Sequence, residues 1–152
     1  MLKKNQKVAI YMEGHIYSEY GKMGMGVLRY LENKIVCVID SKYSKTNISD
    51  HYPNLEPVPI VNNLESAIQL KAEVLILGIA PSGGKVPSDW YPVIKMALSK
   101  GLSIINGLHD LLQNRFNNLI SKKNQWIWDV RVPNFVPEIA TGKAAKLNNK
   151  RL

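Results

Sequence analysis

The sequence contains a single cysteine, Cys37, so no intramolecular disulfide can form. It lies inside the run Ile35-Val36-Cys37-Val38-Ile39, a setting for a small buried hydrophobe rather than a reactive thiol. No apolar run approaches the roughly 20 residues of a membrane span. Behind the basic start, Val8 to Met12 is too short for a signal-peptide core, so a cytoplasmic protein without membrane partners is expected. The three histidines are scattered and no Cys/His group has zinc spacing, so no metal site is expected. No linker, internal repeat or low-complexity stretch divides the chain.

A one-signed charged face is also missing. The net charge of +8 suggests nucleic acid at first sight. However, Lys3, Lys4, Lys7, Lys143, Lys146, Lys150 and Arg151 sit at the two ends. Without those seven, 13 basic residues face 12 acidic ones. A nucleic-acid binder usually carries its charge on the folded face, among aromatics. Solvated ends are therefore expected, with no nucleic-acid partner.

What is present is an alternation of short apolar runs and amphipathic stretches. Lys7 to Met12, Lys34 to Asp40, Glu73 to Ile79, Leu102 to Ile105 and Trp126 to Val130 read as strands. Gly21 to Leu31, a segment opening at Asn62, Asp89 to Lys100, and Leu108 to Ile120 read as helices. Asn62 with Glu65 has the form of a capping box, Ser88 suits an N-cap, and Gly101 suits a left-handed stop. Ser41 to Val61, polar and carrying three prolines, reads as a long loop. The continuously apolar strands suit burial on both faces. The expected fold is α/β, a Rossmann-like three-layer sandwich with a mostly parallel sheet of about five strands.

Ligands of open parallel sheets bind beyond the C-terminal strand ends. Here these ends carry Glu13-Gly14, Asp40, Pro81 to Lys85, Asn106 to His109, and Asp129 to Arg131. Together they define a polar rim for a small ligand. Gly78 to Lys85 nearly spells a phosphate-binding loop. An extra glycine precedes the lysine, Val86 replaces the magnesium-binding hydroxyl residue, and Pro81 removes an N–H. These departures count against a nucleoside-triphosphatase site in this loop, while the Gly83 and Gly84 amides remain candidates to hold an anion or carboxylate. Gly14, Gly21, Gly24 and Gly26 lack dinucleotide spacing, although Asp40 stands where an acid would grip a ribose. Glu13 and His109 are weak candidates for acid–base work. Asp129 and Arg131 share one strand face and are candidates for ligand contact or an ion pair.

Tyr11-Met12-Glu13-Gly14, Leu28-Arg29-Tyr30, Val38-Ile39-Asp40-Ser41, Leu77 to Gly84, Asn106 to His109, Trp128 to Pro133 and Ala140 to Ala144 form an ordered set. As a set they resemble a bacterial and archaeal family of formerly unknown function. That family has a Rossmann-like N-terminal domain followed by a P-loop domain, and includes D-glutamate (D-amino-acid) N-acetyltransferases. The resemblance implies ligand contacts at Lys22, Gly83, Gly84, Gly107 and His109, beside Gly14, Asp40, Pro81, Asp129 and Arg131, which are ligand candidates from their place on the rim. It also implies acetyl-CoA or a nucleotide as cofactor of the full-length protein, with none held by this chain alone. The expected organisation is a ligand-binding domain over residues 1–140 and a basic segment, 141–152, leading to a P-loop domain that this sequence does not contain. That domain, in cis or in trans, is the expected partner, beside an amino-acid or nucleotide-like ligand, with self-association left open. A truncated piece, a split gene product and a reduced homologue all fit. The alternatives are a non-catalytic binding or assembly module and, from fold analogy alone, an NAD-dependent oxidoreductase.

Overall fold

The computed structural model describes residues 2–132. Six parallel strands form one sheet: β1 (Val8–Tyr11), β2 (Ile35–Ile39), β3 (Ile60–Val61), β4 (Val74–Leu77), β5 (Ser103–Asn106) and β6 (Ile127–Asp129). Their spatial order is β3-β2-β1-β4-β5-β6. The helices are α1 (Lys22–Tyr30), α2 (Ile48–His51), α3 (Leu64–Gln69), α4 (Tyr91–Ser99) and α5 (Leu112–Phe116). This is the expected α/β Rossmann-like layering, with one strand more than the five anticipated. The extra strand is β3, only two residues long and directly preceded by Pro59, which gives no periodicity to read.

Side chains of a strand alternate between faces. Ala9, Tyr11, Cys37, Ile39, Leu75 and Leu77 pack on one face against α3, α4 and α5. Val8, Ile10, Met12, Val38, Val74 and Ile76 pack on the other, against α1 and the Ile48 turn. Burial pushes the Cys37 thiol up to about 12, as suits a core filler. Among the described residues no helix is long and apolar enough to cross a membrane.

Three local expectations change. The cap of α3 is Asn63, which accepts from Ser66 N–H at 2.9 Å, while Asn62 bonds only the Ser66 hydroxyl. Ser88 makes no cap bond; a tight turn precedes α4, and Pro92 falls in its first helical turn, where a missing N–H costs least. The helix expected from Leu108 shrinks to α5, because residues 107–111 are tied up in loop hydrogen bonds. Gly101 does adopt the left-handed conformation, φ +85°.

The sheet order reverses between β1 and β4, and glycines bring α1 against that point. The Gly24 N–H donates to the Gly78 carbonyl at 2.7 Å. A methyl group on Gly78 would sit 2.6 Å from Ile10 Cγ2 and 3.0 Å from the Gly24 Cα. Gly78→Ala is therefore expected to cost about 1–3 kcal/mol in urea unfolding, because a backbone must move. Gly26→Ala, in the same helix with open space around the new methyl, should instead stabilise by about 0.5–1 kcal/mol.

Candidate functional site

The rim divides into two ends of different chemistry. At the β4–β5 end, Gly83 and Gly84 both take positive φ, +78° and +64°. Only glycine adopts two such angles in succession without strain. The Gly84 N–H closes the turn on the Pro81 carbonyl at 2.9 Å, and its own carbonyl accepts from His109 N–H at 2.8 Å. A side chain on Gly84 would run into the His109 ring. The turn and the exposed imidazole are thus one unit. Asp110 ties it down from below by accepting from Val86 N–H at 2.8 Å. Lys85 is exposed beside the turn, and neither it nor Lys22 enters an ion pair among the described residues.

Asp129 and Arg131 do not pair with each other. Asp129 is buried and accepts from Asn106 Nδ2 at 2.8 Å and from the Leu112 and Gln113 amides at 3.0 Å each. It thereby satisfies orphan donors at the start of α5. Arg131 Nε donates to the Gly107 carbonyl at 2.7 Å. Asn106 accepts from Leu108 N–H and donates to the Asp110 carbonyl. This network shapes the loop that carries Gly107 and His109.

At the β1–β2 end the groups are acceptors. Glu13, half-buried, accepts from Ser41 N–H at 3.0 Å and from the Ser41 hydroxyl. Gly14 turns the chain at φ +72°. Asp40 is fully buried; its Oδ1 accepts from Lys42 N–H at 3.0 Å. Its Oδ2 is buried and has no hydrogen-bond partner among the described residues. Burial raises the Asp40 carboxyl above the ordinary aspartate range, and Glu13 adds to this. The Gly14, Lys42 and Ile16 amides pull the other way, but of these only Lys42 reaches hydrogen-bond geometry.

Sequence reasoning missed three neighbours. Tyr11 packs edge-on against Trp90, ring centroids 5.5 Å apart. Burial first, then the charges of Glu13, Asp40 and Asp89, push its phenol up to about 12. Asp89, exposed in the turn before α4, is the most weakly acting of these charges. Ser41 is the clamp on Glu13. Only the position of Tyr11 and Ser41 at strand ends signals them in the sequence.

The Gly24 amide at the start of α1 is spent on the Gly78 carbonyl. The larger surface hollows, about 500 Å³ by Tyr30 and Tyr52 and about 510 Å³ by Lys3 and Trp126, lie away from the residues of this rim. The polar rim is the better candidate because its side chains converge.

Residues 42–133 match the family described as a domain of unknown function, DUF1611_N, Rossmann-like domain. A D-glutamate N-acetyltransferase of Pseudoalteromonas sp is 42% identical over 89 residues, covering 57% of this chain and 26% of that protein. A second D-glutamate N-acetyltransferase, of Tritonibacter scottomollicae, is 35% identical over 81 residues, 52% of this chain and 24% of that protein. The crystal structure of a DUF1611 family protein from Anabaena variabilis superposes with a TM-score of 0.83 at 39% identity. That match covers 94% of this chain and 42% of the Anabaena chain. The matched stretch spans about a quarter of the curated relatives.

The raised Asp40 carboxyl has a consequence for stability. Above the ordinary aspartate pKa the unfolded chain has lost this proton while the folded chain retains it. Asp40 therefore disfavours folding increasingly as pH rises through that window, up to its raised folded pKa. The urea midpoint of the parent, compared with Asp40→Asn, should fall as pH rises above the ordinary aspartate range. A difference that stays flat with pH would contradict this.

Proposed function

Because the chain belongs to the DUF1611_N Rossmann-like family, we propose that it is the substrate-binding part of an N-acetyltransferase acting on D-glutamate or a related D-amino acid. The observation that carries the reading is the two-ended rim, set beside the names of the two bacterial relatives. An amino acid presents an ammonium and a carboxylate, and the rim presents acceptors at one end and donors at the other. The Gly83–Gly84 turn with His109 suits the carboxylate. For acyl transfer the ammonium must first lose a proton, which a carboxylate or imidazole accepts. Glu13 and His109 are the groups of that kind that reach the rim.

Acetyl-CoA is the acetyl donor this reading requires. On this reading the donor is held by the remainder of the enzyme, the P-loop domain that the family resemblance implies. The basic segment 141–152 lies outside the described residues. A binding module without chemistry would use the same rim but release no product.

Two measurements test the reading. D-glutamate at ten times its Kd should stabilise the folded chain by about 1.4 kcal/mol, or roughly 3–5 °C in Tm. Combined with the remaining portion of a D-glutamate N-acetyltransferase, the chain should support formation of N-acetyl-D-glutamate with release of CoA. An unchanged Tm together with no product from the folded, complemented protein would overturn it.

A further inference from the structure

Apart from the residues of the rim, one histidine is held at both ring nitrogens. His51, the last residue of α2, meets the Tyr17 hydroxyl at Nδ1, 2.5 Å away, and the Thr46 hydroxyl at Nε2, 2.8 Å away. A third bond settles where the protons lie. Thr46 has one hydroxyl proton and donates it to the Tyr43 carbonyl at 2.7 Å. A carbonyl only accepts, so toward His51 the Thr46 oxygen is the acceptor. The neutral imidazole therefore carries its proton on Nε2, and Nδ1 accepts from Tyr17. Three rings hold this phenol. Tyr17 packs edge-on against Tyr43 and His51, centroids 5.2 and 5.5 Å apart, and tilted against Tyr52 at 5.7 Å. The Tyr52 hydroxyl donates to the Ile16 carbonyl at 2.9 Å, which anchors the chain beside Tyr17. Tyr17 nevertheless remains 56% exposed.

A hydroxyl bonded to a base whose far nitrogen is oriented by a third group is the arrangement of an activated nucleophile. We propose that Tyr17 is a nucleophilic tyrosine that accepts acyl groups from activated esters and thioesters, with His51 as its base and Thr46 as a positioning residue. As Tyr17 Oη bonds the acyl carbon, its proton passes to His51 Nδ1. The tetrahedral intermediate then breaks its bond to the leaving oxygen or sulfur. A thiolate takes the proton back from Nδ1, a weakly basic phenolate leaves it to water, and an O-acyl tyrosine remains. His51 does not attack in its own right, because both of its nitrogens are engaged. His51 and Tyr52 also line the hollow of about 500 Å³ beside Tyr30, which gives a small acyl compound room next to the base. Tyr30 lines the same hollow and is more exposed, at 83%, but no imidazole bonds its hydroxyl among the described residues. The base is what separates the two phenols.

The probe is p-nitrophenyl acetate on the folded chain, with each adduct assigned by peptide mass spectrometry. Tyr17 should acetylate at least about tenfold faster than Tyr30, and in urea the two rates should converge. His51→Gln, whose amide cannot take the proton, should bring the Tyr17 rate down to that of Tyr30. Imidazole nitrogen shifts in NMR should place the His51 proton on Nε2 in the parent, and Thr46→Val should lose that preference. A Tyr17 rate less than tenfold above Tyr30 in the folded parent overturns the proposal without recourse to a variant. So does a folded His51→Gln chain that reacts like the parent, or a neutral His51 protonated at Nδ1.

Discussion

One close approach governs this molecule: the start of α1 lies directly on the end of β4, backbone to backbone. Gly24 and Gly78 permit it, and the 2.7 Å hydrogen bond between them fixes it. Met12 fills the remaining space. Ala80 N–H then bonds the Tyr20 carbonyl at 2.8 Å, so the loops after β1 and β4 are tied together above the sheet. The two sides of the strand-order reversal are therefore fastened to each other. The same contact spends the amide that a nucleotide phosphate would need.

Much of this was legible in the sequence. Five of the six strands were readable, because continuous runs such as Val74-Leu75-Ile76-Leu77 have only one stable home, a sheet covered on both faces. The strand β3 was not, since two residues carry no period and their pairing with β2 is a long-range choice. The rim was legible as strand ends, and the family as ordered blocks. What each polar residue does there was not. Asp129 and Asp40 look alike on paper, each an acid at a strand end. The fold surrounds Asp129 with three donors and leaves one oxygen of Asp40 with none. That difference depends on which loop amides arrive from elsewhere, and no local pattern records it.

The two ends of the rim are also held in different ways. The glycine turn is fastened by backbone geometry and by Asp110. The acid end is held by side chains: Glu13 by the Ser41 amide and hydroxyl, and Asp40 by the Lys42 amide.

The outer side of β3 carries a further consequence. Residues 45–48 lie along it: Lys45 N–H donates to the Ile60 carbonyl, Ile60 N–H to Thr46, and Ile48 N–H to Val58, at 2.8–3.0 Å. A bare sheet edge is a template on which a strand from another molecule can add. Here the protein has already used that edge on itself. Any strand from a second molecule would first have to peel residues 45–48 away, so this flank is guarded against the edge-to-edge aggregation to which parallel sheets are otherwise exposed.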